Sequence, residues 1–167
     1  MRDILSTDIQ NIPATDKGKR FDSIIEGSPE MCCMEIASGP LTRDVYPSAI
    51  AQVVDLLRSN GIRNLRVCFG WACNCPRDQL YQDVSMPVER LQPFISDSEA
   101  AGYYRMTEND LHVEDADGRC KFLLCHESDI HLITNDEGLL KQMESVWLAS
   151  GLKDVYVKRD GDWQKVG

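Results

Sequence analysis

The chain has 167 residues, of which 43% are hydrophobic and 27% are charged, and its formal net charge at pH 7 is −9. A chain of this length and composition can bury a hydrophobic core of its own, so we predict a globular protein. The acidic balance argues against binding to the phosphate backbone of nucleic acids, which requires clustered lysine and arginine. No run of 18 apolar residues occurs, so we expect no membrane-spanning helix.

The N-terminal residues and the number of cysteines indicate the compartment. The first eight residues, MRDILSTD, lack the apolar segment of a secretory signal. The chain has seven cysteines, an odd number, and Cys32 and Cys33 are adjacent. These features favour free thiols in a reducing environment over a disulfide framework. We therefore predict a cytoplasmic protein.

The N-terminal part of the chain predicts an arm followed by a hairpin. Residues 1–19 show no apolar periodicity and contain proline and glycine, which indicates a flexible N-terminal arm. A single domain is then predicted over 20–167. At its start, two short β-type runs, 21–26 and 31–37, flank a Gly-Ser-Pro segment and predict a hairpin.

The next part of the chain predicts helices around one buried strand. An apolar stripe predicts a helix over 46–60, which Gly61 ends, and 65–69 then predicts a buried strand. A strand, a helix and a second strand in this order indicate one right-handed βαβ crossover. Prolines favour two further helices, a short one over 76–81 and a longer one over 87–101.

In the C-terminal half of the sequence, apolar residues recur with a period of two residues, which is typical of β-strands. The runs 111–114, 120–126 and 130–134 predict a three-stranded antiparallel meander. Residues 134–137 have capping-box spacing and predict the start of a helix, and 155–166 predict a last hairpin. Together the elements predict an α+β fold, with a mostly antiparallel sheet, one βαβ crossover and helices packed on the sheet.

Cysteine and histidine are concentrated in two stretches of the sequence. The first, CFGWACNC, covers 68–75, and the second, CKFLLCHESDIH, covers 120–131. Thiol and imidazole groups bind soft metals, and they also act as nucleophile and base near neutral pH. If the fold brings the two stretches together, they form a site. If it does not, the cysteines are small buried hydrophobic side chains.

One interpretation of these stretches is a cysteine-dependent hydrolase or transferase. Cys73 and Cys75 follow a predicted buried strand and precede a predicted helix, whose first N–H groups would stabilise a thiolate. His126 or His131 would act as the base, and Asp129 would orient His131. A cysteine before a helix and a histidine on a later strand is similar to papain-like hydrolases, in element order alone.

A second interpretation is a zinc-binding domain. Zinc prefers four sulfur or nitrogen ligands, and the set that the sequence offers is Cys73, Cys75, Cys125 and His126. The spacings are C-x₄-C and C-x-C rather than the usual C-x₂-C. Cys125 and His126 are adjacent, so on a regular strand they would point to opposite faces of the sheet. Zinc is the cofactor that this interpretation implies.

The interpretation that we place first is a small acidic binding or regulatory protein that docks a basic protein partner, as antitoxin-like or immunity-like inhibitors do. Residues 97–117 contain seven carboxylates and one arginine, Arg105. Exposed charges of one sign steer partners of the opposite sign. No P-loop, G-x-G-x-x-G, G-x-S-x-G or H-E-x-x-H pattern supports a common enzyme class.

Overall fold

The structure is a computed structural model, and it describes residues 34–159 and 161–167. The predicted N-terminal arm (1–19) and the first strand of the predicted hairpin (21–26) lie outside the described residues. None of the helices that the structure describes combines the length and the apolar character that a bilayer span requires.

The described residues form eight strands and three α-helices. The strands are β1 (Met34–Ser38), β2 (Asn64–Phe69), β3 (Val84–Pro87), β4 (Leu111–Asp115), β5 (Cys120–Leu124), β6 (Ile130–Thr134), β7 (Val155–Arg159) and β8 (Asp162–Lys165). The helices are α1 (Tyr46–Ser59), α2 (Leu91–Ala100) and α3 (Glu137–Ala149), and a 3₁₀ turn (Val88–Arg90) leads into α2.

All eight strands belong to one sheet with the order β3-β2-β4-β5-β6-β1-β7-β8, and every neighbouring pair is antiparallel. The fold is therefore a mixed α+β fold with an antiparallel sheet. The predicted βαβ crossover is not confirmed. α1 joins β1 to β2, which point in the same direction, but β4, β5 and β6 lie between them because the meander fills the centre of the sheet.

The core lies between the helices and one face of the sheet. Side chains alternate along the central strands, so that Phe122 and Leu132 are buried while Lys121 and His131 are partly exposed. α3 packs against β1, β6 and β7, and it also contacts α1, which contacts α2. The buried stripe of α1 joins the same core, and Gly61, with a φ of 74°, ends this helix as predicted.

The start of α3 differs from the capping-box prediction. Asp136 is the N-cap residue, and its carboxylate accepts a hydrogen bond from Leu139 N at 3.1 Å. The Thr134 hydroxyl instead accepts a bond from Asp136 N at 3.0 Å. The cap falls two residues later than the spacing suggests because Thr134 is still paired in β6.

Our prediction of a short helix over 76–81 is wrong. This segment forms hydrogen-bonded turns, in which Gln79 N donates to Pro76 O. Tyr81 has a φ of 59°, which is incompatible with a right-handed helix, and its N–H donates to Phe69 O at 3.0 Å. The chain is thereby drawn back to the end of β2 and continues as the edge strand β3, which the sequence analysis did not predict.

The burial of Trp147 in α3 generates a stability prediction. Its side chain is 0% exposed, so we expect Trp147→Ala to lower the free energy of unfolding by about 3 to 5 kcal/mol, the cost of emptying a large aromatic site. Urea denaturation measures the change. Leu148→Ala is the matched control on the next residue, which is 37% exposed, and should cost less than about 1 kcal/mol. Equal costs for the two variants would contradict the placement of this helix.

Candidate functional site

The parts of the two stretches that lie outside the strands, residues 70–75 and 125–129, belong to loops at one end of the sheet. Phe69 at the end of β2 pairs with Leu111, the first residue of β4, and Leu111 pairs with Leu124, the last residue of β5. Leu124 pairs in turn with Ile130, where β6 begins. The antiparallel register therefore gathers four loops, which we call the loop end: residues 39–45, 70–83, 101–110 and 125–129.

The loop end also contains the unusual backbone conformations of the described chain. Four non-glycine residues among those described have positive φ: Ala72 (61°), Tyr81 (59°), Thr107 (70°) and Ser128 (73°). All four lie in the loop end. Such conformations cost free energy, and they concentrate in ligand-binding and active sites. No sequence signal marked these positions, because none of the four is a glycine or an asparagine.

Asp110 connects the two stretches. The Cys73 thiol donates to the Asp110 carbonyl at 3.2 Å, and the Asp110 carboxylate accepts from His126 N at 2.8 Å. The same carboxylate oxygen lies 2.8 Å from His126 Nδ1. Asp110 was not predicted as a site residue, because it lies between the two stretches in the sequence and matches no motif.

Cys73 and Cys75 lie in surroundings that favour the neutral thiol over the thiolate. Burial raises the pKa of the Cys73 thiol to about 12 and also raises the pKa of Cys75, which is part of the hydrophobic core. Turns occupy the segment after Cys75 where we predicted a helix, so no helix N-terminus stabilises a thiolate. The similarity in element order to papain-like hydrolases is lost with that helix.

His131 lies between two carboxylates. Its Nδ1 is 2.7 Å from Glu35 Oε1 in β1, and its Nε2 is 3.1 Å from Asp129 Oδ2. Burial alone would lower the pKa of His131, but the hydrogen bonds to Asp129 and Glu35 outweigh it and raise the pKa to about 9. The imidazole is therefore protonated at pH 7. The contact with Asp129 was predicted from the sequence, whereas Glu35 was not, because it lies 96 residues away in the chain.

Cys125 and His126 lie on the same side of the chain. We expected them to diverge because they are adjacent, but β5 ends at Leu124 and both residues belong to the following turn. Cys125 Sγ lies 3.8 Å from His126 Nδ1 and accepts a hydrogen bond from Glu127 N at 3.4 Å. Burial raises the pKa of the Cys125 thiol to about 12.

Two groups of side chains in the described residues have the composition and spacing of metal ligands. One is Asp110, Cys125 and His126, and the other is Cys125, Asp129 and His131, with ligand atoms within 4.8 Å of one another in each group. Cys125 belongs to both. Cys73 and Cys75 belong to neither, so the structure does not gather the four zinc ligands that we predicted from the sequence.

The acidic run from 97 to 117 does not form one free acidic surface. Asp110, Glu114 and Asp115 are buried. Glu114 forms an ion pair with Arg66 at 2.8 Å, and Asp115 forms one with Arg119 at 2.7 Å. Carboxylates that face the interior are paired because an isolated buried charge is costly. These three groups are therefore not available to steer a partner.

Trp71 is the most exposed large hydrophobic side chain of the described residues, at 63%, although the backbone around it is well held. Its carbonyl accepts from Asp110 N at 3.0 Å, and the carbonyl of Ala72 accepts from Asn109 Nδ2 at 2.8 Å. Asn74 N donates to Tyr103 O at 2.8 Å. A large aromatic ring is thus presented to solvent on a loop that is hydrogen-bonded to its neighbours.

Comparison with known proteins adds no identification: no family model, no curated protein and no solved structure matches this chain.

The pair of carboxylates around His131 predicts a pH dependence of stability. The folded-state pKa of about 9 lies above the ordinary value of 6.5, so protonation of His131 stabilises the fold fully below pH 6.5, and this contribution is lost as the pH rises through 9. We expect its size to be on the order of 2 to 3 kcal/mol. Urea unfolding in a chelating buffer at pH 6.5 and pH 9.5 should show that His131→Gln costs more at the lower pH. His126→Gln is the control: its more exposed imidazole contacts one carboxylate, that of Asp110, which also raises its pKa, so its cost should change less with pH. A cost of His131→Gln that does not change with pH would show that the imidazole is neutral.

The raised thiol pKa values predict slow alkylation. At pH 7 we expect iodoacetamide to modify Cys73 and Cys125 more than tenfold more slowly than a free cysteine in a peptide, because the thiolate fraction falls about tenfold for each pKa unit. Peptide mapping by mass spectrometry follows each site, and the urea-unfolded chain is the control. Rapid modification of Cys73 in the folded protein would restore the interpretation of this residue as a nucleophile.

Proposed function

We propose that the protein is a binding or regulatory protein that docks a basic protein partner through its loop end, with Trp71 as the central anchor. The observation that carries this proposal is the exposure of Trp71 on a hydrogen-bonded loop. Tryptophan is among the residues that contribute most to protein–protein binding. A loop that already has its bound conformation loses little entropy when the partner binds, so more of this contribution appears as affinity.

The size of the Trp71 ring supports its role as an anchor. A tryptophan buries roughly 150 to 250 Å² when it is fully enclosed. Since 63% of this side chain is exposed, a partner that covered it would remove on the order of 100 Å² of apolar surface from water. At about 25 cal/mol per Å², this contributes roughly 2 to 3 kcal/mol to binding.

The charges of the loop end support a basic partner. Two of its three exposed arginines already form ion pairs, Arg43 with Glu99 and Arg105 with Glu108. Glu108 is the partner of Arg105, so the exposed carboxylates of the loop end outside these ion pairs number four: Asp44, Asp78, Asp83 and Glu127. This local excess of negative charge has the same sign as the net charge of −9. Charges at the rim of an interface mainly raise the association rate of an oppositely charged partner.

The proposal keeps the antitoxin-like or immunity-like class that the sequence favours, because such inhibitors dock a preformed surface on a charged partner and need no catalytic group. The five cysteines of the described residues are free thiols. This agrees with a reducing environment, and we propose a cytoplasmic location on this basis.

Selection from a random peptide library displayed on phage tests the proposal, because the library offers the loop end basic, neutral and acidic sequences in competition. We expect the selected peptides to be enriched in lysine and arginine, and we expect their synthetic versions to bind less tightly as the salt concentration rises. Trp71→Ala should weaken their binding at least tenfold and leave the urea midpoint unchanged, since the ring is exposed. Isothermal titration calorimetry measures the affinities.

Trp163→Ala is the matched control, because Trp163 is 44% exposed but lies on the edge strand β8 rather than in the loop end. It should leave peptide binding unchanged. Selected peptides without excess positive charge, or peptides that bind Trp71→Ala as tightly as the wild type, would contradict the proposal.

A further inference from the structure

We propose that Cys125, Asp129 and His131 bind one divalent transition-metal ion of the zinc type, and that Glu35 orients His131 for this role. This inference is independent of the docking proposed for Trp71. It replaces the zinc ligands expected from the sequence, because only Cys125 of that set belongs to this group of side chains.

The spacing of the three donors fits one ion. Their ligand atoms lie within 4.8 Å of one another, and His131 Nε2 is 3.1 Å from Asp129 Oδ2. A tetrahedral zinc ion has bonds of about 2.0 to 2.3 Å, so its ligand atoms are separated from each other by roughly 3.3 to 3.6 Å. The observed arrangement therefore needs only small side-chain shifts to accept an ion.

Asp129 supplies a second, independent observation. Its Oδ1 atom is buried and has no hydrogen-bond partner, while Oδ2 contacts His131. The Cys125 thiol interacts with this carboxylate as a weak donor, but Oδ1 lacks the N–H or O–H donor that buried carboxylate oxygens usually have in folded proteins. A metal ion between Asp129 and Cys125 would give this oxygen a partner and balance its negative charge.

Glu35 gives His131 the environment of a metal ligand. Metal-binding histidines usually donate their second ring N–H to a carboxylate, which fixes the tautomer and the direction of the ring. Glu35 Oε1 is 2.7 Å from His131 Nδ1, so Nε2 is the nitrogen directed at Asp129. Both residues lie on paired strands, since Ala37 of β1 pairs with His131 of β6. The sheet therefore positions the imidazole.

The turn between β5 and β6 positions the other two donors. Cys125 N donates to Asp129 O at 2.9 Å, and Ser128 N donates to Cys125 O at 3.0 Å. Ser128 has a φ of 73°, which closes this turn in a conformation that costs free energy for a residue other than glycine. The turn thus brings Cys125 and Asp129 together on one side of the chain.

The chemistry of the donors indicates the class of ion. One thiolate, one imidazole and one carboxylate suit Zn²⁺ or Co²⁺, whereas Ca²⁺ and Mg²⁺ prefer oxygen ligands alone. Binding would release two protons, one from the Cys125 thiol and one from His131 Nε2, because a metal binds the deprotonated groups. The alternative group around Asp110 is less suitable, since one oxygen of that carboxylate already contacts both His126 N and His126 Nδ1.

Cobalt titration of the full-length chain tests the site. Cys32 and Cys33 are replaced by serine in every sample, so that this adjacent pair of thiols does not contribute to the signal. We expect one equivalent of Co²⁺ to bind with a thiolate-to-cobalt charge-transfer absorption, and we expect Zn²⁺ to displace it. Cys125→Ser should abolish the absorption, and the matched variant Cys73→Ser should retain it.

Further variants separate the positioning role of Glu35 from ligation and identify the histidine. Glu35→Gln should retain the charge-transfer band and weaken metal affinity about 10- to 100-fold, while His131→Gln should remove binding. Circular dichroism melting verifies that each variant is folded. If Cys125→Ser does not fold, the site is tested by the cobalt affinities of the other variants. Glu35→Gln and His131→Gln should then bind cobalt more weakly than His126→Gln does. The proposal is overturned by a lack of binding, by loss of the band in Cys73→Ser, or by an effect of His126→Gln in place of His131→Gln.

Discussion

Asp110 forms the set of contacts on which the loop end depends. Its N–H donates to Trp71 O at 3.0 Å, and its carbonyl accepts from Gly70 N at 2.9 Å and from the Cys73 thiol at 3.2 Å. Its carboxylate accepts a hydrogen bond from the backbone N–H of His126, in the turn between β5 and β6. Gly70 is needed at this point, because a Cβ atom there would lie 2.8 Å from the Cβ of Asp110. Asp110 thus joins the loop that carries Trp71 to the turn that contains Cys125 and Asp129.

The two proposed activities use different physical properties of this end of the sheet. Docking requires an exposed apolar surface on a preformed backbone, and the loop around Trp71 has both. Metal binding requires converging donors with restrained orientation, and strands β1 and β6 provide that for His131 through Glu35. The thiols are protonated in the metal-free protein because burial raises their pKa values. The same burial makes them poor nucleophiles near neutral pH, whereas a bound metal ion would deprotonate Cys125.

The parts of the fold that were predictable from the sequence have strong local signals. The apolar stripe of α1 and the antiparallel meander of β4, β5 and β6 are encoded by residues close in the chain, and both were predicted correctly. The helix expected over 76–81 failed, because Tyr81 N pairs with Phe69 O, a contact across the loop that outweighs the local preference after a proline. The edge strand β3 was missed for the same reason, since its pairing with β2 is a tertiary contact.

The sequence by itself determined the composition of the site and the elements that flank it. It placed cysteine and histidine in two stretches, put an antiparallel meander around the second stretch, and linked Asp129 with His131. Only the tertiary structure decided which donors meet. Glu35 reaches His131 because β1 inserts between β6 and β7, and strand order depends on packing over the whole sheet rather than on neighbouring residues. The exclusion of Cys73 from the metal-ligand groups has the same origin, because β4 lies between β2 and β5 and separates the two stretches by one strand.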